Sequence, residues 1–307
     1  MVHVTTTLKL HALGLGRLQD PNWTGMDLFD HVKQHVRGRV KPLGLLRKPL
    51  ERGLLYLLGG WLYNEYFSSS RLESMEPEYQ AWALEDFVEF LEHHELPAVS
   101  DPLLTEVTSQ LELVGETFER GEGEYFNLLE ELCNDSFFVD RFDALLEQQM
   151  ASVTKLRSEY AEDYSNRVLH DRQLCAYISQ LIITIGFNGD DDDTGMPRAW
   201  VQREAWPERV KTILRSRDRG ACAHCGVNIV DELNAEGHID HIIPLAEGGS
   251  NDLVNLQLLC STCNLRKATS IAIVRSSVPT YIQRRKAAKP CGQPDLERYA
   301  SSKDGWK

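Results

Sequence analysis

Two cysteine pairs, Cys222 with Cys225 and Cys260 with Cys263, constrain this chain more than any other feature; 34 residues separate one pair from the other. A Cys-x-x-Cys turn aims two thiolates at one ion and a second pair completes the tetrahedron. The spacing therefore predicts a structural Zn2+ that staples the ends of a small module. Four thiolates leave no open coordination position, so this zinc has no catalytic role. Cys133, Cys175 and Cys291 stand alone and read as buried or idle thiols. In a reducing cytosol two such pairs read as a zinc site rather than as disulfides. The first residues, Met1 to Thr7, lack the basic stretch and apolar run of a secretory signal. The longest apolar run, residues 53–62, is interrupted by Gly59 and Gly60 and falls short of the roughly 18 residues a membrane helix needs. The expectation is a cytosolic, cytoplasmic protein with no membrane partner.

Charge divides the chain. Residues 1–200 carry 34 acidic and 17 basic side chains, whereas residues 201–307 carry 12 and 16. Phosphate repels the first part and attracts the second, so nucleic-acid contact belongs to the last third. With 307 residues, 42% apolar and 26% charged, the chain is long enough for two globular domains and is neither collagenous nor disordered. Residues 2–10 alternate apolar and polar side chains, which predicts a half-buried strand. Helical spacing follows over residues 27–36, 82–91, 103–118, 125–150 and 160–185. Residues 1–187 thus read as an acidic, mainly α amino-terminal domain. The run Asp190 to Asp193 between Gly189 and Gly195 marks an exposed acidic linker at 188–200, because contiguous carboxylates repel one another and cannot all turn to one ion. Residues 201–307 form the second domain with its basic tail, opening with a helix near Pro207 that turns Val210, Ile213 and Leu214 inward. His31 with His35, and His93 with His94, have no carboxylate partner and read as surface or core residues.

Between the cysteine pairs lies Asp240-His241, then Pro244, Gly248-Gly249 and Asn255. Adjacent side chains on a strand face opposite ways, so a bend or bulge is required before both serve one phosphate. Pro244 stops that strand, the glycines turn the chain, and residues 255–259 form a second strand with Leu256 and Leu258 facing the core. Asn255 then faces back toward the first strand, within reach of His241. A helix begins after Cys263 with Asn264 and Lys267 on one side. His224 and His238 lie near the site but read as packing or support for it.

The pattern Asp-His, Asn fourteen residues after the His, then Cys-x-x-Cys-Asn resembles the HNH endonucleases of the ββα-metal fold in their four-cysteine zinc version, over residues 206–270. The resemblance implies a small α+β nuclease domain in which His241 is the general base, Asp240 and Asn264 hold a catalytic Mg2+ or Mn2+, and Asn255 orients the imidazole. Asn264 stands where the family's last histidine would be, which suits a hard ion. The implied substrate is DNA, with RNA as a further possibility. Arg266, Lys267, Arg284, Arg285 and Lys286 would contact flanking phosphates, unless the last three form a solvated helix face. The resemblance also suggests an effector of restriction or antiphage defence, regulated through residues 1–187 by a protein partner or self-association. The rival readings are a zinc module that only binds nucleic acid or protein, which needs the cysteines but not Asp240, His241 and Asn255 together, and a subunit of a larger complex.

Overall fold

The computed structural model describes residues 2–19, 49–50, 52–96, 102–184, 202–203, 205–229 and 237–268. The expected helix over residues 27–36, the acidic linker, Arg284, Arg285, Lys286 and Cys291 lie outside the described residues. The chain divides into two compact units: Met1–Trp23 with Tyr56–Asn166, and Thr24–Leu55 with Arg167–Lys307.

The first unit is helical. Its elements are α1 (Val4–Gln19), α2 (Leu54–Tyr66, from Tyr56 on), α3 (Ser69–Glu73), α4 (Pro77–His93), α5 (Pro102–Arg120), α6 (Glu122–Asn134) and α7 (Phe137–His170, as far as Asn166). The strand expected over residues 2–10 is instead the start of α1. Thr7, Leu10 and Gly14 are buried at spacings of three and four, while Val4 and Leu8 are exposed. The buried face therefore has the helical period, and the apolar alternation does not coincide with burial. The helical spacing of residues 125–150 is broken at Ser136, whose φ of 57° lies in the left-handed region and ends one helix before the next begins. Tyr63, Phe67, Phe87, Phe90 and Tyr160 form an aromatic core with ring centroids mostly 4.7–5.7 Å apart. Burying such rings contributes roughly 1.5–3 kcal/mol each. Gly59 lets α2 close on α7, since a Cβ there would meet the Ala161 main chain at 3.1 Å. His94 bonds the Tyr160 hydroxyl at 2.9 Å, so it is a packing residue, as its lack of a carboxylate partner suggested.

The second unit holds α8 (Arg172–Thr184), α9 (Glu208–Arg217), strands β1 (Gly237–His241) and β2 (Leu256–Cys260), and α10 (Ser261–Lys267). The strands pair antiparallel in unbroken register, with Asp240 opposite Gln257 and His241 opposite Leu256. All five residues of β2 are buried, so it is covered on both faces rather than half-solvated as an alternating strand would be. Leu256 packs with Val210 and Leu214 of α9, while Leu259 packs with Cys222, Val227, Cys260 and Cys263. The second edge of β2 is satisfied without a third strand. Ala223 N donates to the Leu258 carbonyl at 2.8 Å, Leu258 N to Asp218 at 3.0 Å, and Arg217 to the Leu256 carbonyl at 2.8 Å.

The helix expected over residues 160–185 is cut at Asp171, whose carboxylate caps α8 by accepting from Gln173 N and Leu174 N at 3.0 Å. That cap sits just past the division between the two units, at Arg167. The Arg172 guanidinium bonds Ala223 and Gln257 inside the second unit. No described helix is long and apolar enough to cross a membrane.

Candidate active site

The four cysteine sulfurs lie within 4.8 Å of one another, with Cys225 and Cys260 at 3.9 Å. Zn–S bonds of about 2.3 Å set tetrahedral sulfurs roughly 3.8 Å apart, and a disulfide needs about 2.05 Å, so this is a reduced, zinc-compatible cluster. The first pair sits on a tight turn. Gly226 N donates to the Cys222 carbonyl at 2.8 Å, and Gly226 takes a φ of 78° that a side chain would disfavour. The second pair opens α10, where Cys260 Sγ accepts from Cys263 N at 3.4 Å.

β1 runs from this cluster to His241 with no bulge. The required bend falls immediately afterwards, at Ile242 and Ile243. Asn255 holds that bend. Its carbonyl accepts from Ile242 N at 2.7 Å, its Oδ1 accepts from Ile243 N at 2.8 Å, and its Nδ2 donates to the carbonyls of Ile243 and Ser250 at 2.9 Å. With those groups engaged, Asn255 does not bond the imidazole as the resemblance implied. Gly249 packs so closely that a Cβ there would stand 2.0 Å from the Ile243 carbonyl.

The imidazole is held by Asn251, a residue to which spacing assigned no role. His241 Nε2 lies 2.8 Å from Asn251 Oδ1, and Asn251 Nδ2 donates to the Gln202 carbonyl at 2.7 Å. Because the amide nitrogen is committed to an acceptor, Oδ1 accepts and His241 Nε2 carries the proton. Nδ1 of the neutral ring is then the basic nitrogen. Trp206 packs against the ring at 5.7 Å. Burial lowers the His241 pKa, against raising contributions from the Asn251 hydrogen bond and the Asp240 charge, and Arg203 and Lys267 lower it further. The ring is accordingly neutral and able to accept a proton at pH 7.

Asp240, 7% exposed, meets Gln257 Nε2 at 3.3 Å and Lys267 Nζ at 3.1 Å, both through Oδ2; neither contact engages Oδ1. Lys267, expected at a flanking phosphate, is paired with Asp240 in this structure. Its side chain is 9% exposed and serves as the internal counter-charge of Asp240, because α10 folds back over the β1–β2 ladder. Arg266, the next residue back, is exposed, and Asn264 is half-buried one turn from Lys267 on the same helix. His224 is exposed and His238 half-buried. Cys133 reaches Gln80 at 3.2 Å, and burial pushes the Cys175 thiol up to about 12, so both behave as inert packing thiols.

Spacing thus located the sulfur cluster and the Asp240-His241 strand, and missed Asn251, Gln257 and Trp206. The one available signal was register: Gln257 faces Asp240 once the strands are paired.

Residues 222–270 match the HNH endonuclease family. The matched segment contains both cysteine pairs, β1, β2 and α10, and its two strands followed by a helix have the ββα arrangement of an HNH domain. α1 to α9 lie outside the HNH match. Comparison of the chain with curated proteins and with solved structures finds no match.

Proposed function

We propose that the protein is a metal-dependent endonuclease that hydrolyses DNA phosphodiester bonds at its HNH site, with His241 as general base. The observation that carries this reading is the anchoring of His241 Nε2 by Asn251, which leaves Nδ1 as the ring's proton acceptor. His241 Nδ1 takes the proton of a water molecule, the hydroxide attacks phosphorus, and the 3′-oxygen leaves. Asp240 and Asn264 offer the oxygen donors that suit Mg2+ or Mn2+, and such an ion supplies charge neutralisation at the phosphate and the leaving oxygen. Gln257 and Lys267 fix the Asp240 carboxylate through Oδ2. Asn255 keeps the bend after His241 in place. Arg266, with Arg284, Arg285 and Lys286, grips flanking phosphates without reading sequence.

Plasmid incubated with the protein and Mg2+ or Mn2+ is expected to be nicked. His241→Ala should lower the rate by about 10²–10⁴ while keeping its zinc. Zinc-loaded protein that binds DNA but cleaves neither double-stranded, single-stranded nor RNA substrate with either ion would favour the purely binding zinc module.

The cytoplasmic setting inferred is restriction or antiphage defence, and loss of phage protection on His241→Ala in cells is the corresponding test. For the first unit we infer a partner protein with a basic segment. Residues 77–134 carry 15 acidic side chains against the single Arg120. Trp82 and Phe118 stand 48% and 59% exposed at a cleft that Glu78 and Glu85 also line. A surface of this kind repels phosphate and suits a cationic polypeptide with an apolar anchor.

A further inference from the structure

Arg172 is the first residue of α8, 50 positions ahead of the HNH match, and its side chain is 5% exposed. A buried guanidinium is costly unless every face of it finds a partner. This one donates to the Ala223 carbonyl, between the first two cysteines, at 2.9 Å and to Gln257 Oε1 at 3.3 Å, while its Nε makes no hydrogen bond and is offset only by the Asp218 charge 3.8 Å away. Asp218 is itself fixed by a two-pronged contact with Arg217 at 2.9 Å and by Leu258 N. Arg172 is therefore locked against the back of the zinc knuckle and of β2 at once.

Its contact with Gln257 has a directional consequence. A carboxamide is a donor at one end and an acceptor at the other. A guanidinium has only donors, so it claims the amide oxygen. The amino end of Gln257 is thereby turned to Asp240 Oδ2 at 3.3 Å, directly across the ladder. The reversed amide would set two donors against each other on one side and two acceptors on the other. Gln257 is 2% exposed, and no solvent offsets such a mismatch.

We propose that Arg172 is a positioning residue of the nuclease site: by fixing the sense of the Gln257 amide it aims the Asp240 carboxylate at the divalent ion. The functional nuclease would then extend upstream of the HNH match to include α8. The inference rests on the nuclease reading given above. Groups that hydrogen-bond a metal ligand typically alter metal affinity or activity about 10- to 100-fold when removed.

The test uses the full-length, zinc-loaded chain and reads Mn2+ affinity from the electron paramagnetic resonance of free Mn2+, alongside nicking rate and zinc content. Arg172→Met and Gln257→Leu should each weaken Mn2+ binding about tenfold and slow nicking by about 10- to 100-fold with one zinc retained. The double variant should be no more than about twofold worse than either alone, because the two residues act in series. Losses that multiply in the double variant, or unchanged Mn2+ affinity in Arg172→Met, overturn the proposal. Should Arg172→Met lose its zinc, Arg172→Gln decides. Its carboxamide can meet Gln257 with a donor or an acceptor and so no longer sets the sense of that amide; weakened Mn2+ binding with zinc intact supports the relay and unchanged binding refutes it. Wild-type protein that neither binds Mn2+ nor nicks DNA refutes the nuclease reading and this inference together, whereas a working wild type with unaffected variants refutes only this inference.

Discussion

Two asparagines four residues apart divide between them the work that the sequence pattern assigned to one. Asn251 touches the imidazole, and Asn255 touches only main chain. Their substitutions should therefore fail in different ways. Asn251→Ala frees the ring to rotate and to exchange tautomers, and should lower kcat about tenfold or more; because it orphans the buried His241 Nε2 it also costs about 1–3 kcal/mol of stability, less than the loss at Asn255. Asn255→Ala strands Ile243 N, Ile243 O and Ser250 O in a buried place. At about 1–3 kcal/mol for an orphaned buried group, it should destabilise the second unit by several kcal/mol in denaturant titration. If Asn255→Ala keeps full stability and loses only activity, the roles drawn from these hydrogen bonds are reversed. Spacing could not separate the two, since both amides lie in the same loop region and only the direction of each side chain tells them apart.

At the scale of elements, a zinc ion held by the four-cysteine cluster would let so short a ladder hold its shape. Two strands of five residues are marginal by themselves, and here the sulfurs tie the Cys222–Cys225 turn to the junction of β2 and α10. Removing the metal with a strong chelator, or substituting Cys260→Ser, should unfold the module and with it the seat of His241. The check is loss of near-ultraviolet circular dichroism from Trp206, which packs on His241. Full recovery of that signal on adding Zn2+ back to the chelated wild type, and not to the substituted chain, completes the expectation. The cysteine turns were legible because ligand geometry depends on a few neighbouring residues. α1 was not, because Thr and Val favour strands in isolation, and what decided was packing of Leu10 and Gly14 on an interhelical surface built by residues far along the chain.

At the scale of the molecule, contacts between distant segments set the chemistry. Asp252, in the loop before β2, accepts hydrogen bonds from Val254 N and from Leu54 N at the start of α2. Burial drives its carboxyl up to about 6, against those two bonds. A carboxyl whose folded pKa is raised binds more protons folded than unfolded, so stability falls as pH rises from about 4 through about 6. Asp252→Asn keeps a capping oxygen for Val254 N and removes the charge. The melting temperature of the variant relative to wild type should therefore move in the variant's favour by a few degrees between pH 4 and pH 7. A difference that stays flat with pH would mean the carboxyl is not held neutral by burial.

The amino-acid sequence by itself determined the four sulfur ligands, the Asp240-His241 pair, the helical character of the first unit and the partition of charge, because each depends on residue identity and on spacing of a few positions. The tertiary structure alone decided that Asn251 bonds the imidazole, that Lys267 pairs with Asp240, and that α8 groups with the segment carrying the four-cysteine cluster. Those are pairings of buried polar groups brought together from separate parts of the chain. Such a group takes whichever complementary atom the fold places within about 3 Å of it, and no local pattern encodes that neighbour.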